Sequence, residues 1–311
     1  MDTSKVCVVI PAYQAANHIG DVIAGIPDFV SWIVVVNDAS TDNTAEVVAA
    51  IPESRLRLIN LERNTGVGGA TMRGYHAACQ LGASIVVKMD SDGQMDPHYL
   101  PDLIAPVVQG EADYAKGNRF MHLRKLQAMP PLRRIGNMGL SLLNKISSGY
   151  WNIFDPTNGY TAITAGMLAK IDVSNLHPRY FFEQSLLLEL GLHRAVVKDV
   201  YIPARYQNEK SSLSELDSLF RFPPLLVRGF FRRLFIQYFV RDFSAVTLFL
   251  LMGVPLVLFG FIFGSIRWIQ SIQSNIPATT GTVMVAVLPF ILGVQFIMQA
   301  LIMDIQNVPR K

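Results

Sequence analysis

Asp90, Asp92 and Gln94 stand close together in the run Val86-Val87-Lys88-Met89-Asp90-Ser91-Asp92-Gly93-Gln94-Met95-Asp96-Pro97. Carboxylate and amide oxygens are hard ligands suited to Mg2+ or Mn2+, and Mg2+ usually takes only one or two carboxylates because substrate phosphates and water complete its shell. A turn at Gly93 lets the three side chains converge on one such ion, which would then also hold a diphosphate. An Asp-rich surface turn has the same spelling, so this spacing alone leaves both readings open.

The elements that must carry these residues follow from periodicity. Ile85, Val86 and Val87 form a short β-branched apolar run that reads as a buried strand ending at the acidic turn. Similar runs at Lys5 to Ile10, Ile33 to Val36 and Leu56 to Leu61 predict further strands. Between them lie helices: one with Ile19, Val22, Ile23 and Ile26 at helical spacing, one running to Ile51 and capped by Asp42 or Thr41, and one from the Gly66 to Gly69 stretch through Leu81. Strands alternating with helices imply an α/β fold with a mostly parallel sheet covered on both faces, and ligands bind beyond the carboxyl ends of such strands. Pro11-Ala12-Tyr13, Asp38 and Asp90/Asp92 then share one rim. The Gly66-Val67-Gly68-Gly69 stretch lacks the Lys-Ser/Thr of a P-loop and the spacing of a dinucleotide fingerprint. It is either a helix start beside the ligand or a plain turn.

Of 311 residues, 50% are hydrophobic and only 16% charged. Two stretches without charge, Phe243 to Ile266 and Trp268 to Met303, account for the excess, and each is long enough to cross a bilayer core. Two buried core helices are the other reading, though core helices seldom run so far without a charge. Arg221, Arg228, Arg232, Arg233 and Arg241 precede the first stretch, Arg267 closes it, Arg310 and Lys311 follow the second, and the connector is uncharged. The positive-inside rule therefore expects a multi-pass protein of the inner (plasma) membrane with the N-terminal domain and both termini cytoplasmic. No signal peptide is evident. Cys7 and Cys79 read as reduced packing residues. Residues 1–213 carry 19 Lys and Arg against 20 Asp and Glu, and residues 214–311 carry 8 against 4, so the basic excess lies near the membrane and nothing suggests a nucleic-acid partner.

Taken together, Pro11-Ala12-Tyr13, Val36-Asn37-Asp38-Ala39-Ser40-Thr41-Asp42 and Met89-Asp90-Ser91-Asp92-Gly93-Gln94-Met95-Asp96-Pro97 resemble the nucleotide-sugar half of family 2 glycosyltransferases, which have the GT-A fold. Ala112-Asp113-Tyr114-Ala115-Lys116-Gly117-Asn118-Arg119-Phe120, Asp155-Pro156-Thr157-Asn158-Gly159-Tyr160 and Glu209-Lys210-Ser211-Ser212-Leu213, ahead of two apolar helices, are similar to the polyprenyl-phosphate transferases of the dolichyl-phosphate mannose synthase type. The resemblance implies inverting transfer of a sugar from a UDP- or GDP-linked donor to polyprenyl phosphate of the undecaprenyl or dolichyl kind, with Mg2+ or Mn2+. It also implies that Pro11, Tyr13 and Asp38 hold the nucleobase, that Asp90 faces the ribose or sugar, and that Asp92 and Gln94 bind the metal. Gln14-Ala15 stands where the family usually has Asn-Glu, and Asn37-Asp38-Ala39-Ser40 where it has Asp-Asp-Gly-Ser. The last motif lacks the common Gly-x-Ser-Lys form.

Arg119, at the end of a predicted strand, is placed to grip the acceptor phosphate or the diphosphate, because a planar guanidinium binds phosphate oxygens in pairs. Arg205 and Lys210 are further candidates for that anion. Asp155 either orients the acceptor and shifts a proton or serves as a turn or cap before Pro156. A lipid phosphate with a second pKa of about 6 is largely ionised, so no catalytic His is required. The expected organisation is a catalytic domain over 1–213, interfacial helices over 214–242, a span over 243–267, a connector over 268–281, a second span over 282–304 and a tail over 305–311. The Leu216 to Phe243 segment mixes Phe and Leu with five Arg, as helices lying in a headgroup layer do, although a helix packed under the catalytic domain would look the same. Arg133-Arg134 with Ile135, Met138, Leu142, Leu143 and Ile146 makes a second such helix. Rival functions are a processive polysaccharide synthase, whose Gln-x-x-Arg-Trp signature is absent, and a catalytically inactive membrane scaffold. The sequence allows a homo-oligomer without counting subunits.

Overall fold

The computed structural model describes residues 5–119, 131–203 and 215–311, so Arg205 and Lys210 lie outside the described residues. The chain divides into two units, Met1–Phe231 with Pro309–Lys311, and Arg232–Val308.

In the first unit, apolar runs become strands where β-branched residues recur, and helices fill the intervals. The order is β1 (Val6–Ala12), α1 (Ile19–Ala24), β2 (Trp32–Asn37), α2 (Thr44–Ala49), β3 (Leu56–Asn60), α3 (Gly66–Gln80), β4 (Ile85–Lys88), α4 (Leu100–Val108), β5 (Tyr114–Asn118), α5 (Pro131–Ser148), β6 (Thr161–Thr164), α6 (Ala165–Leu168), α7 (Phe182–Leu192), β7 (Val197–Tyr201) and α8 (Glu215–Phe235), of which the residues up to Phe231 belong to this unit. The strands make one seven-stranded sheet in the order β3-β2-β1-β4-β6-β5-β7. All its neighbours are parallel except β6, which runs against both β4 and β5. β1 and β4 are buried along their whole length and β2 over all but its first residue. That burial explains their continuous apolar spelling, since both faces are covered. Each buried Val, Leu or Ile side chain contributes roughly 1.5–3 kcal/mol to the core.

The single reversed strand does most to shape the rim. Because β6 runs backwards, its first residue, Thr161, pairs with Lys88, the last residue of β4. The loop Asp155 to Tyr160 that feeds β6 therefore lands beside the Asp90–Gln94 turn. β5 and β7 run in the sense of β4, so Arg119 and the chain after Tyr201 emerge on the same edge.

Local differences from expectation have physical reasons. Asn43 rather than Asp42 occupies the cap position of α2, while the Asp42 carboxylate accepts from Thr44 N at 3.2 Å and Thr44 Oγ1 at 2.5 Å. Cys7 is buried, and burial pushes its thiol up to about 12. Cys79 sits exposed on α3, so it is not the packing residue expected. Ala39 has φ 54°, in the left-handed region that favours glycine, and an L-residue there costs roughly 1–2 kcal/mol. Ala39→Gly should therefore raise the unfolding free energy by about 1 kcal/mol in a thermal melt, with transfer activity unchanged.

α8 packs part of its surface and leaves the rest open. Phe222 and Leu226 are buried in a cluster with Phe181, flanked by Leu140, Leu143 and Leu188, whereas Phe220, Val227 and Phe231 are exposed. α5 likewise exposes Met138 and Leu142 while Leu143 packs inward.

The second unit holds α9 (Ala245–Ser274) and α10 (Thr280–Gln306), both long and apolar enough to cross a membrane. Large apolar side chains such as Phe261, Ile262, Ile291 and Leu292 are exposed along both, which is not how core helices of a water-soluble domain behave. α9 continues past Arg267 to Ser274, so the connector expected over 268–281 shrinks to residues 275–279. Trp268 to Ser274 contains no helix breaker, and the stop comes at Asn275, which adopts φ 53°. The two helices touch at glycines. A Cβ at Gly260 would lie 2.6 Å from Ala286 O, and one at Gly293 would lie 2.7 Å from Val257 N. Gly260→Leu should force the helices apart and lower the melting temperature in detergent by several degrees, read by intrinsic fluorescence.

Arg233 departs from its expected place among lipid-facing cations. It is 3% exposed and forms a two-pronged pair with Asp304 at 2.8 and 2.9 Å. Tyr238 OH donates to the same carboxylate at 2.6 Å.

Candidate active site

The rim gathers most of the residues that the sequence singled out. Pro11, Tyr13, Asp38, Asp90 and Asp92 line one cleft of about 580 Å3, together with Lys88, Thr157, Arg179, Tyr180 and Glu183. Asp90, Asp92, Gln94 and Arg119 line an adjoining cavity of about 100 Å3 that Thr157 shares. Tyr13 is 48% exposed and so offers a ring face to a ligand.

The loops after β1 and β2 are tied to each other. Gln14 N donates to Ser40 Oγ at 3.0 Å, Gln14 Nε2 to Thr41 Oγ1 at 3.2 Å and Ala15 N to Thr44 Oγ1 at 2.9 Å. Asp38 is 2% exposed, and both its oxygens are engaged: Oδ1 accepts from Thr65 N at 2.7 Å and Thr65 Oγ1 at 2.9 Å, Oδ2 from Gly66 N at 2.8 Å. The glycine stretch is thus a helix start on the cleft wall, with Asp38 holding the N-terminus of α3. Gly68 leaves room for the neighbouring chain, since a Cβ there would lie 2.4 Å from His177 O.

At the metal candidate, Asp92 Oδ1 accepts from Gln94 N at 3.0 Å, which closes the turn. Among the described residues no group of three or more His, Cys, Asp or Glu is placed to hold an ion. One carboxylate with one amide oxygen is still a fitting set, because Mg2+ bound to a diphosphate needs few protein ligands.

Asp155 does not line the cleft. It is fully buried, and it braces Arg119 through bonds from Nε at 2.7 Å and Nη2 at 3.1 Å. The buried carboxylate holds the guanidinium at the mouth of the small cavity.

Several site residues escaped the sequence reading. Lys88, Thr161, Lys116 and Asp199 are register partners in four adjacent strands and so form a polar row on one face of the sheet. Lys88 is 1% exposed and pairs with Asp90 at 2.5 Å and Glu183 at 3.1 Å. Burial pulls its pKa down, but the two facing carboxylates, Asp90 and Glu183, prevail and hold it above the usual lysine value. Lys116 donates to Asn158 O, and there burial prevails, lowering its pKa to about 8. Asp199 Oδ2 accepts from Asn118 Nδ2 and Phe154 N, both at 2.9 Å, and burial raises its pKa to about 6. The available signal was a lone lysine inside an otherwise uncharged strand, since a buried charge requires a partner.

The Asp199 shift has a sign that can be measured. Its folded pKa, about 6, exceeds the ordinary aspartate value of 3.8, so the folded state binds the proton more tightly and is favoured at low pH. Stability from this group is lost as pH rises from about 4 to about 6 and is flat above. Melting temperatures of the wild type minus those of Asp199→Asn should fall across that window and stay level above pH 7.

Residues 7–172 match the profile of glycosyl transferase family 2. A UDP-N-acetylglucosamine–dolichyl-phosphate N-acetylglucosaminyltransferase of Methanococcus voltae is 29% identical over 221 residues, covering 65% of this chain and 88% of that protein. An undecaprenyl-phosphate mannosyltransferase of Micrococcus luteus is 29% identical over 179 residues, covering 56% of this chain and 72% of its own. Among solved structures, glucosyl-3-phosphoglycerate synthase from Mycobacterium tuberculosis, crystallised with Mn2+, UDP-glucose and phosphoglyceric acid, superposes with a TM-score of 0.55 at 22% identity, over 74% of this chain and 79% of that one. That likeness establishes the fold, a GT-A-type α/β sheet. With the family profile spanning more than half of the residues, and with sugar transferases acting on polyprenyl phosphates among its relatives, this chain belongs to glycosyltransferase family 2.

Proposed function

We propose that this protein moves a sugar from a UDP- or GDP-linked donor to a polyprenyl phosphate at the cytoplasmic face of the membrane. The observation that carries the reading is the joining in one small cavity of a turn with oxygen ligands for a cation, Asp92/Gln94, and an anion-binding guanidinium, Arg119 braced by Asp155. Relatives named for dolichyl-phosphate and undecaprenyl-phosphate acceptors support it.

In this reading the nucleobase lies against the Tyr13 ring beside Pro11, near the Asp38 corner, since an exposed aromatic face suits a flat heterocycle. Asp90 faces the ribose or sugar. Asp92 and Gln94 hold Mg2+ or Mn2+, which when bound neutralises charge on the departing nucleoside diphosphate. Arg119 presents its fork to phosphate oxygens, and Asp155 keeps that fork aimed without touching substrate. Arg205 and Lys210 are further cations for the acceptor's phosphate. The attacking group is a phosphate oxygen with a second pKa of about 6, so proton removal by a strong base is unnecessary. Attack opposite the leaving diphosphate inverts the anomeric carbon. α9 and α10 cross the bilayer, and the exposed Phe220, Val227 and Phe231 face of α8 lies in the headgroup layer.

The test uses the purified full chain, polyprenyl phosphate and radiolabelled nucleotide sugars. Lipid-linked product that disappears with chelator is the expected result. Absence of such product with every common donor would favour the inactive scaffold. A thermal-shift screen of nucleotide sugars with Mn2+ identifies the donor, since binding stabilises the folded state by mass action.

A further inference from the structure

We propose that Glu183, acting through Lys88, is a positioning residue for Asp90, and that this clamp depends on residue 159 having no side chain. The inference rests on the reading of the cleft as a nucleotide-sugar site and goes beyond it by assigning roles to Glu183, Lys88 and Gly159.

Asp90 lies beyond the end of β4, in a turn, with its side chain 31% exposed. A carboxylate in such a place samples several rotamers, and fixing one at the moment of binding costs conformational entropy. Here the choice is made beforehand. Lys88 reaches back along the rim from inside the sheet and bonds Asp90 Oδ1 at 2.5 Å, while Glu183 Oε1 stands 3.1 Å from the same ammonium. An ammonium shared between two carboxylates is directed by both. Glu183 comes from the first turn of α7, a helix buried over nearly all its residues. Asp90 is thereby referenced to the packed body of the domain and not to its own turn.

Gly159 completes the clamp from the other side. A Cβ there would lie 2.5 Å from Lys88 Nζ and 2.6 Å from Asp90 Oδ2. Both are closer than carbon tolerates, so one of the two groups would have to move. A surface lysine would swing aside. Lys88 cannot, because it is buried and held at two points. The glycine of the Asp155-to-Tyr160 loop is therefore explained by the carboxylate it faces, with no demand on its backbone angles.

The experiment measures kcat, donor KM, nucleotide-sugar affinity by calorimetry, and melting temperature on the full chain. Wild-type turnover comes first: if the wild type makes no lipid-linked product, the functional reading falls and the clamp has not been what failed. With an active wild type, Glu183→Gln and Gly159→Ala should each lower kcat/KM by roughly 10- to 100-fold, the scale of a misplacement near 1 Å. Donor affinity should weaken alongside, turnover per folded molecule should fall further than any drop in melting temperature explains, and Glu183→Asp should recover part of the loss. Lys88→Met leaves two carboxylates without their cation and can fail to fold. The double variant Lys88→Met with Glu183→Leu removes the two buried charges together, leaves only the partly exposed Asp90, and should recover the melting temperature but not the turnover. Wild-type kcat/KM in Glu183→Gln and Gly159→Ala, or recovery of turnover along with stability in the double variant, would overturn the proposal.

Discussion

Asp92→Ala should lower sugar transfer by about 10³-fold while leaving the melting temperature within a few degrees. The loss is large because the reaction releases a nucleoside diphosphate. Removing one preorganised charge-stabilising contact typically costs 10²–10³ in rate, and a metal ligand removes more than its own contact when the ion leaves with it. Stability is spared because Asp92 contributes no apolar packing; its described bond closes a surface turn onto Gln94 N. Asp92→Asn keeps an acceptor for that bond and should be nearly as inactive, which separates loss of charge from loss of turn geometry. Incorporation of label into extracted lipid measures the loss of transfer, and a thermal melt of the purified variants measures the spared stability. Full turnover in either variant would remove Asp92 from the metal site.

The second large effect belongs to Arg119. Arg119→Ala leaves the Asp155 carboxylate, 0% exposed, without its counter-ion. Breaking a buried pair from one side costs roughly 3–5 kcal/mol, and since Arg119 itself is 34% exposed the lower end of that range is expected. Transfer should fall further than the loss of folded protein explains, because the fork that meets phosphate is gone. Arg119→Lys keeps the charge and loses the two-pronged geometry, so it should keep much of the stability and little of the turnover. Arg119→Met combined with Asp155→Leu should regain stability with no transfer. A variant that regains both would show that the pair only supports the fold.

How much of this was legible depends on where each physical cause resides. β1, β2 and β4 are spelled out because strands covered on both faces need continuous apolar side chains. The turn after β4 is legible because carboxylates concentrate where the chain leaves the sheet. The reversal of β6 has no local signature: Thr161 to Thr164 reads as a strand in either direction, and only pairing with β4 and β5 decides. That reversal is what delivers Asp155 to Arg119, so the pair could not be read from spacing. Lys88 and Lys116 were passed over for a related reason. A lysine in a strand suggests solvent, and its partners Glu183 and Asn158 are distant in the chain and come close only in the folded sheet. Arg233 misled similarly, since a cluster of arginines ahead of an apolar helix says nothing about which of them finds Asp304.

The pairing of Arg233 with Asp304 sets a limit on where the polypeptide can be shortened. Asp304 falls two positions before the last residue of α10, at the end of the apolar helix where a trimming experiment would cut. A chain ending at residue 303 would keep the whole uncharged stretch from Trp268 to Met303. It would nevertheless strand a guanidinium that is 3% exposed, together with the Tyr238 hydroxyl that now donates to the same carboxylate. Affinity handles and fluorescent fusions therefore belong well after residue 304, and shortened versions should be judged by whether they retain it.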